Sequence, residues 1–222
     1  KVKIGMIGKY VDLADSYKSL NESLLHASVH NNNSLEIDFI DSEDITKKSI
    51  NRLKNLQGIV VPGGFGNRGV EGKILAANFA RINNIPYFGI CLGMQISVIE
   101  FARNILGLKD ANSTEFDLKT PFPVISLVTE WDDYKKGKLK GSLHQMGGTM
   151  RLGAQSCTLM KKTLAHSLYK KNIISERHRH RYEVNNKFVD QFNETDLVFS
   201  GYSGNKDLME MLELKHHPWY LA

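Results

Sequence analysis

The chain has 222 residues, 41% hydrophobic and 24% charged, which fits a globular protein with a sizeable core and excludes a low-complexity or fibrous one. Its net charge of +5 is too mild to indicate nucleic acid, and no apolar run reaches the length of a membrane-spanning helix, so neither is expected as a partner. Two cysteines, Cys91 and Cys157, exclude a disulfide scaffold and fit a reducing, cytoplasmic setting. The chain opens on Lys1 with no signal-peptide pattern. Val2 to Ile7 reads as a first buried strand. Tyr17, Leu20, Leu24 and Ala27 form a helical stripe that Asn31-Asn32-Asn33 stops. Leu35, Ile37 and Phe39 alternate as a second strand, and Ile45, Ile50 and Leu53 suggest a short helix. Ile59-Val60-Val61 is a third strand, closed by Pro62. Ile74, Leu75, Phe79 and Ile82 mark the next helix, and Ile85 to Phe88 the next strand. Met94, Ile96, Val98, Ile99, Phe101 and Ala102 then recur at helical spacing. This alternation of strand and helix predicts a parallel sheet covered by helices.

From Gly107 the character changes. Val124 to Val128 is a strand, and the polar, glycine-broken segment from Trp131 to Leu143 is a mobile loop or hairpin. Thr163 to Tyr169 forms a short helix. Ile173 to Val184, Leu197 to Tyr202 and Leu208 to Leu214 read as antiparallel strands, and Trp219 to Ala222 as the opening of one more. The expected fold class is α/β, a mostly parallel central sheet flanked by helices with a smaller antiparallel portion, in one domain over residues 1–222.

Gly89-Ile90-Cys91-Leu92-Gly93 sits between a strand and a helix, so a cysteine framed by glycines occupies a strand-to-helix turn, as in a nucleophile elbow with Cys for Ser. Glycines let strand and helix close around the strained residue, and the N–H groups of the helix start favour negative charge there. A buried structural cysteine is the alternative, and the glycine frame favours the nucleophile. Cys157 lacks that frame and reads as core. Four glycines in Gly63-Gly64-Phe65-Gly66-Asn67-Arg68-Gly69 form either an anion-binding nest or an ordinary loop. A parallel sheet brings this loop and the elbow to the same carboxyl ends, where the N–H groups of Gly64 and Leu92 make a candidate oxyanion hole. In Glu176-Arg177-His178-Arg179-His180-Arg181-Tyr182 the arginines alternate with the histidines on opposite strand faces. A solvated face is the alternative for this run, and a site for a small carboxylate is the preferred reading of Arg181, because guanidinium binds carboxylate with two bonds. His26, His30, His144, His166, His216 and His217 stand in no metal-ligand spacing.

Gly89 to Gln95 resembles the nucleophile motif of class I, triad-type glutamine amidotransferases. More narrowly, the chain is similar to the glutaminase domains of CTP synthases, in Gly5 to Tyr10, Gly63 to Gly72, Asp110 to Phe116, Met146 to Gly153, Glu176 to Val184 and His217-Pro218-Trp219. The resemblance implies that Cys91 attacks the side-chain amide of L-glutamine and that Gly64 and Leu92 hold the oxyanion. It implies that Gln95, Glu115 and Arg181 bind glutamine with them; by charge, Glu115 suits the α-ammonium and Arg181 the α-carboxylate. It implies no cofactor or metal in this domain. The ammonia passes to a synthase domain of the same polypeptide, which uses ATP and magnesium to aminate UTP to CTP. GTP is implied as an activator near Phe65 and the loop from Trp131 to Leu143. The family's His-Pro-Glu motif, which carries the triad base and its orienter, does not occur in these residues, nor does the N-terminal synthase domain. Two rival readings are a catalytically idle glutamine-binding or regulatory module and a free-standing Cys hydrolase of γ-glutamyl compounds.

Overall fold

The computed structural model describes residues 1–11, 15–127, 130–133, 137–140, 150–203 and 208–222, of which 130–133 and 137–140 by backbone alone. Its contacts divide into two compact units, Lys1–Glu100 with His217–Tyr220, and Phe101–His216 with Leu221–Ala222.

The first unit is built on continuous apolar runs. Gly58–Val61 (β3) is buried at every residue, as a strand covered on both faces must be. It pairs in parallel with Val2–Gly8 (β1) on one side and Tyr87–Gly89 (β4) on the other. Leu35–Asp41 (β2) pairs in parallel with β1. The order β4-β3-β1-β2 is the expected parallel sheet. Lys18–His30 (α1) lies by β2, and Val70–Ile82 (α2) packs on β1, β3 and β4. Leu92–Asn104 (α3) follows β4, and Arg81 of α2 holds the fully buried Glu100 of α3 at 2.7 Å.

The second unit is mostly antiparallel, with Ala111–Ser113 and Phe122–Leu127 as a parallel pair. Ile173–His180 (β10), Arg151–Leu159 (β9), Leu197–Tyr202 (β12) and Met209–Leu214 (β13) are neighbours in that order. Glu213 of β13 pairs with Leu221, so the strand begun near the end of the chain is Tyr220–Leu221. A separate sheet joins Ala111–Ser113 (β5), Phe122–Leu127 (β6) and Tyr182–Val184 (β11). Glu130–Asp133 (β7) and Gly137–Lys140 (β8) pair antiparallel, largely within the segment expected as a loop or hairpin. Leu164–Tyr169 (α4) begins at Thr163, whose hydroxyl accepts from the His166 N–H, and the Glu213 carboxylate accepts from the N–H groups of Leu164 and Ala165. Val189–Asn193 (α5) buries Phe192 against Phe101 and Phe199.

Several expectations change. The helix suggested by Ile45, Ile50 and Leu53 is two 3-10 segments, Ser42–Asp44 and Ile50–Asn55; the Asp41 carboxylate accepts from the Glu43 N–H and closes the first as a tight turn. No residue of α1 is buried, so its apolar stripe is only half-covered. On β2 the buried residue is Ile40, while Phe39 faces outward. The run from Ile173 to Val184 is two strands in two sheets, broken at Arg181, so Arg181 leaves the face shared by Arg177 and Arg179. Val128, parts of the segment from Trp131 to Leu143, and Met146 to Thr149 lie outside the described residues. Among the described residues no helix is long and apolar enough to cross a membrane.

Candidate active site

Cys91 ends β4's strand-to-helix turn with φ of 56°, a left-handed conformation that a side chain adopts only where its surroundings enforce it. Those surroundings are the neighbouring parallel strand and its loop. The carbonyl of Val61, at the end of β3, accepts from the Ile90 N–H at 2.9 Å. A Cβ on Gly93 would stand 2.2 Å from that same oxygen, so the helix start can close onto β3 only through a glycine. The helix then begins at once, with Gly93 donating to Ile90 and Met94 and Gln95 donating to the Cys91 carbonyl. Beneath the turn, the Gly93 carbonyl accepts from the Tyr87 hydroxyl at 2.9 Å and the Ser97 hydroxyl at 3.0 Å. Tyr220 stacks on Tyr87 with ring centroids 4.4 Å apart and donates to Ser97. The sequence offered no signal for this Tyr220 support, which comes from the far end of the chain.

The glycine-rich loop lies directly against the cysteine. A Cβ on Gly63 would sit 3.3 Å from the Cys91 Cβ and 3.6 Å from its sulfur. At Gly64 the same construction meets Leu92 and Lys9, each at 3.6 Å. Cys91, Gly64 and Leu92, with Gln95 one turn along α3, are therefore brought together in the first unit, around a half-buried thiol. Lys9 is buried under the loop and its ammonium donates to the Phe65 carbonyl. Lys73 of α2, also buried, donates to the Arg68 carbonyl. Burial, reinforced by the Lys9 charge, pushes the Lys73 ammonium down to about 8. The sequence disclosed neither lysine's burial, because a lysine after a strand or in the first turn of a helix reads as solvent-facing.

Glu115 and Arg181 lie in the second unit. Ser113, fully buried at the end of β5, accepts at its hydroxyl from the Glu115 N–H and at its carbonyl from Phe116, which turns the chain tightly and sets Glu115 at its apex. Arg181 is the single residue between β10 and β11. Both act on Tyr182: burial raises its hydroxyl's proton affinity, the Glu115 charge raises it further, and the Arg181 charge opposes. Arg181 Nε is buried and has no hydrogen-bond partner among the described residues.

Beside Arg181 is an ionic cluster that the sequence disclosed only as a charged run. Arg151 of β9, 3% exposed, donates from Nη1 to Glu183 and from Nη2 to Glu210, each at 2.6 Å. His178 joins Glu210 through Nε2 and the Glu176 carbonyl through Nδ1. That carbonyl only accepts, so the hydrogen of this contact sits on Nδ1. His180 Nδ1 lies 3.3 Å from Glu183. The solvated strand face considered for this run therefore holds for Arg177 and Arg179 but not for the half-buried histidines. Cys157 is core, and burial pushes its thiol up to about 12. Among the described residues no three His, Cys, Asp or Glu side chains are placed to hold a metal ion.

Residues 12–221 match the protein family described as Glutamine amidotransferase class-I. Among solved structures, the chain is similar to one described as the Trypanosoma brucei CTPS glutaminase domain with bound acivicin. The two are 36% identical with a TM-score of 0.88, over 100% of this chain and 84% of that one.

Proposed function

The chain belongs to the class-I glutamine amidotransferase family, and from that premise we propose that it is a glutaminase domain of the CTP synthase type, hydrolysing L-glutamine to glutamate and ammonia. The observation that carries the reading is the strained Cys91 turn closed against the glycine-rich loop, with Gly63 against the thiol and Gly64 against Leu92. In the proposed chemistry the Cys91 sulfur adds to the amide carbon of the side chain. The oxygen of that carbonyl gains negative charge and accepts from the Gly64 and Leu92 N–H groups. The carbon–nitrogen bond breaks, ammonia leaves with an added proton, and a γ-glutamyl thioester remains, which water cleaves to glutamate and the free thiol. Gln95 and Glu115 hold the substrate with Arg181, the carboxylate toward the guanidinium and the ammonium toward Glu115. The base for both proton transfers is the histidine of the family's His-Pro-Glu motif. The ammonia is used by a synthase domain of the same polypeptide that aminates UTP with ATP and magnesium, and GTP acts near Phe65 and the segment from Trp131 to Leu143. The protein works in the cytoplasm, a setting supported by its two free cysteines.

An electrophilic glutamine analogue such as acivicin tests the assignment. Peptide mapping after brief treatment is expected to find the label on Cys91 and not on Cys157, whose thiol is buried and stays protonated. Equal labelling of the two would overturn it.

A further inference from the structure

Arg181 occupies the one position where the chain leaves the sheet of β9 and β10 and enters that of β6 and β11. A single residue at such a switch has no ladder partner to fix its backbone, so its side-chain direction depends on how the flanking residues are anchored. The described neighbours give that guanidinium no hydrogen bond at Nε. Its flanks, in contrast, are tied together by side chains. His180, just before it, pairs in register with Arg151 of β9. Glu183, two residues after it, receives Arg151 at 2.6 Å through one carboxylate oxygen and faces His180 Nδ1 at 3.3 Å with the other. The Glu183 carboxylate thus closes a staple across Arg181, with β9 as its fixed wall. Glu210 of β13 and His178 back the staple from the other side of Arg151. Burial works against the charge on Glu210, but the hydrogen bond from His178 and the charge of Arg151 outweigh it and hold its carboxyl below the usual range. Arg151 meets two carboxylates at a depth where an unmatched charge is strongly disfavoured, so neither carboxylate is free to leave it without cost.

We propose that the Arg151–Glu183 pair is a positioning device that aims Arg181 at the α-carboxylate of the substrate. The proposal rests on the reading of Arg181 as the carboxylate-binding residue. It assigns a purpose to Arg151 and to Glu183, the acid following the Arg-His-Arg-His-Arg-Tyr run.

A double-mutant cycle on the full polypeptide, read as KM for glutamine against kcat, tests it. Arg181→Ala is expected to raise KM by about tenfold to a hundredfold, the loss of a charge-assisted contact. Glu183→Gln is expected to raise KM by about tenfold with kcat within about twofold, and to add nothing in the Arg181→Ala background. Circular dichroism and thermal melts establish that each variant is folded. If Glu183→Gln does not fold, Arg151→Lys, which keeps a cation but loses the two-pronged fit, enters the same cycle with the same expectation. An unchanged KM in Arg181→Ala overturns the placement of the carboxylate and the positioning role with it. A raised KM in Arg181→Ala, with Glu183→Gln either without effect or equally harmful in both backgrounds, overturns the positioning role alone.

Discussion

Cys91 and Lys73 show how single residues are held against their own preference. A non-glycine residue in the left-handed region costs on the order of 1–3 kcal/mol, and Cys91 stays there because the Val61 carbonyl is bound on one side and Gly93 closes on the other. Lys73 is disfavoured differently. The residue is 2% exposed, and burial with the nearby Lys9 charge brings its ammonium down to about 8 from 10.5. Unfolded chains therefore bind more protons between those two values, and stability rises with pH across that window, while the full penalty is present below pH 8. Lys73→Met is expected to stabilise the protein by roughly 1–3 kcal/mol near neutral pH, with the gain shrinking as pH climbs through the lysine's range. Urea unfolding of both forms at neutral and alkaline pH measures this. A loss of stability at neutral pH would show that the Arg68 carbonyl contact outweighs burial.

At the scale of elements, the strands of the second unit are joined by charge as well as by ladders. Arg151 on β9, His178 on β10, Glu183 on β11 and Glu210 on β13 meet in one buried cluster. Removing one partner leaves an uncompensated charge, so Glu210→Gln is expected to destabilise the protein by about 3–5 kcal/mol. The pH sign follows from the lowered Glu210 carboxyl. Its stabilisation is complete above the ordinary carboxyl value of 4.5 and is lost as pH falls through the lower folded value. Acid titration of stability is expected to be steeper in the native protein than in Glu210→Gln, and parallel curves would remove Glu210 from the account. Elements were legible where periodicity was strong: β1, β3, α2 and α3 lie where their apolar runs placed them. β5, three residues long, and β9, whose polar and apolar residues mix, were missed because neither offers a clear apolar period of two.

For the whole molecule, turnover asks more than the elbow provides. The 222 residues hold the proposed nucleophile but no His-Pro-Glu motif, and His178 and His180 are engaged by Glu210 and Glu183. General acid–base help contributes typically about 10²–10⁴-fold, so a polypeptide that includes the family's segment is expected to release glutamate from glutamine at least about a hundredfold faster than these residues alone. Comparable rates would mean that a histidine within them, His178 or His180, serves as the base.

The amino-acid sequence by itself determined the alternation of strand and helix, the glycine-framed cysteine and the glycine-rich loop, because each is a local pattern read within a few residues. It also pointed to Arg181 as a carboxylate site by its chemistry, with a solvated face as the alternative, and to Glu115 only through family resemblance. Tertiary structure alone decided that Arg181 stands at a change of sheet, that Glu183 and His180 close around it, and that Tyr220 and Ser97 support the turn at Cys91. These are contacts between residues distant in sequence, and a polar side chain looks the same in the sequence whether solvent or a buried partner receives it. Burial and partnership are properties of the packed chain, and they set which charges in this protein are held fixed.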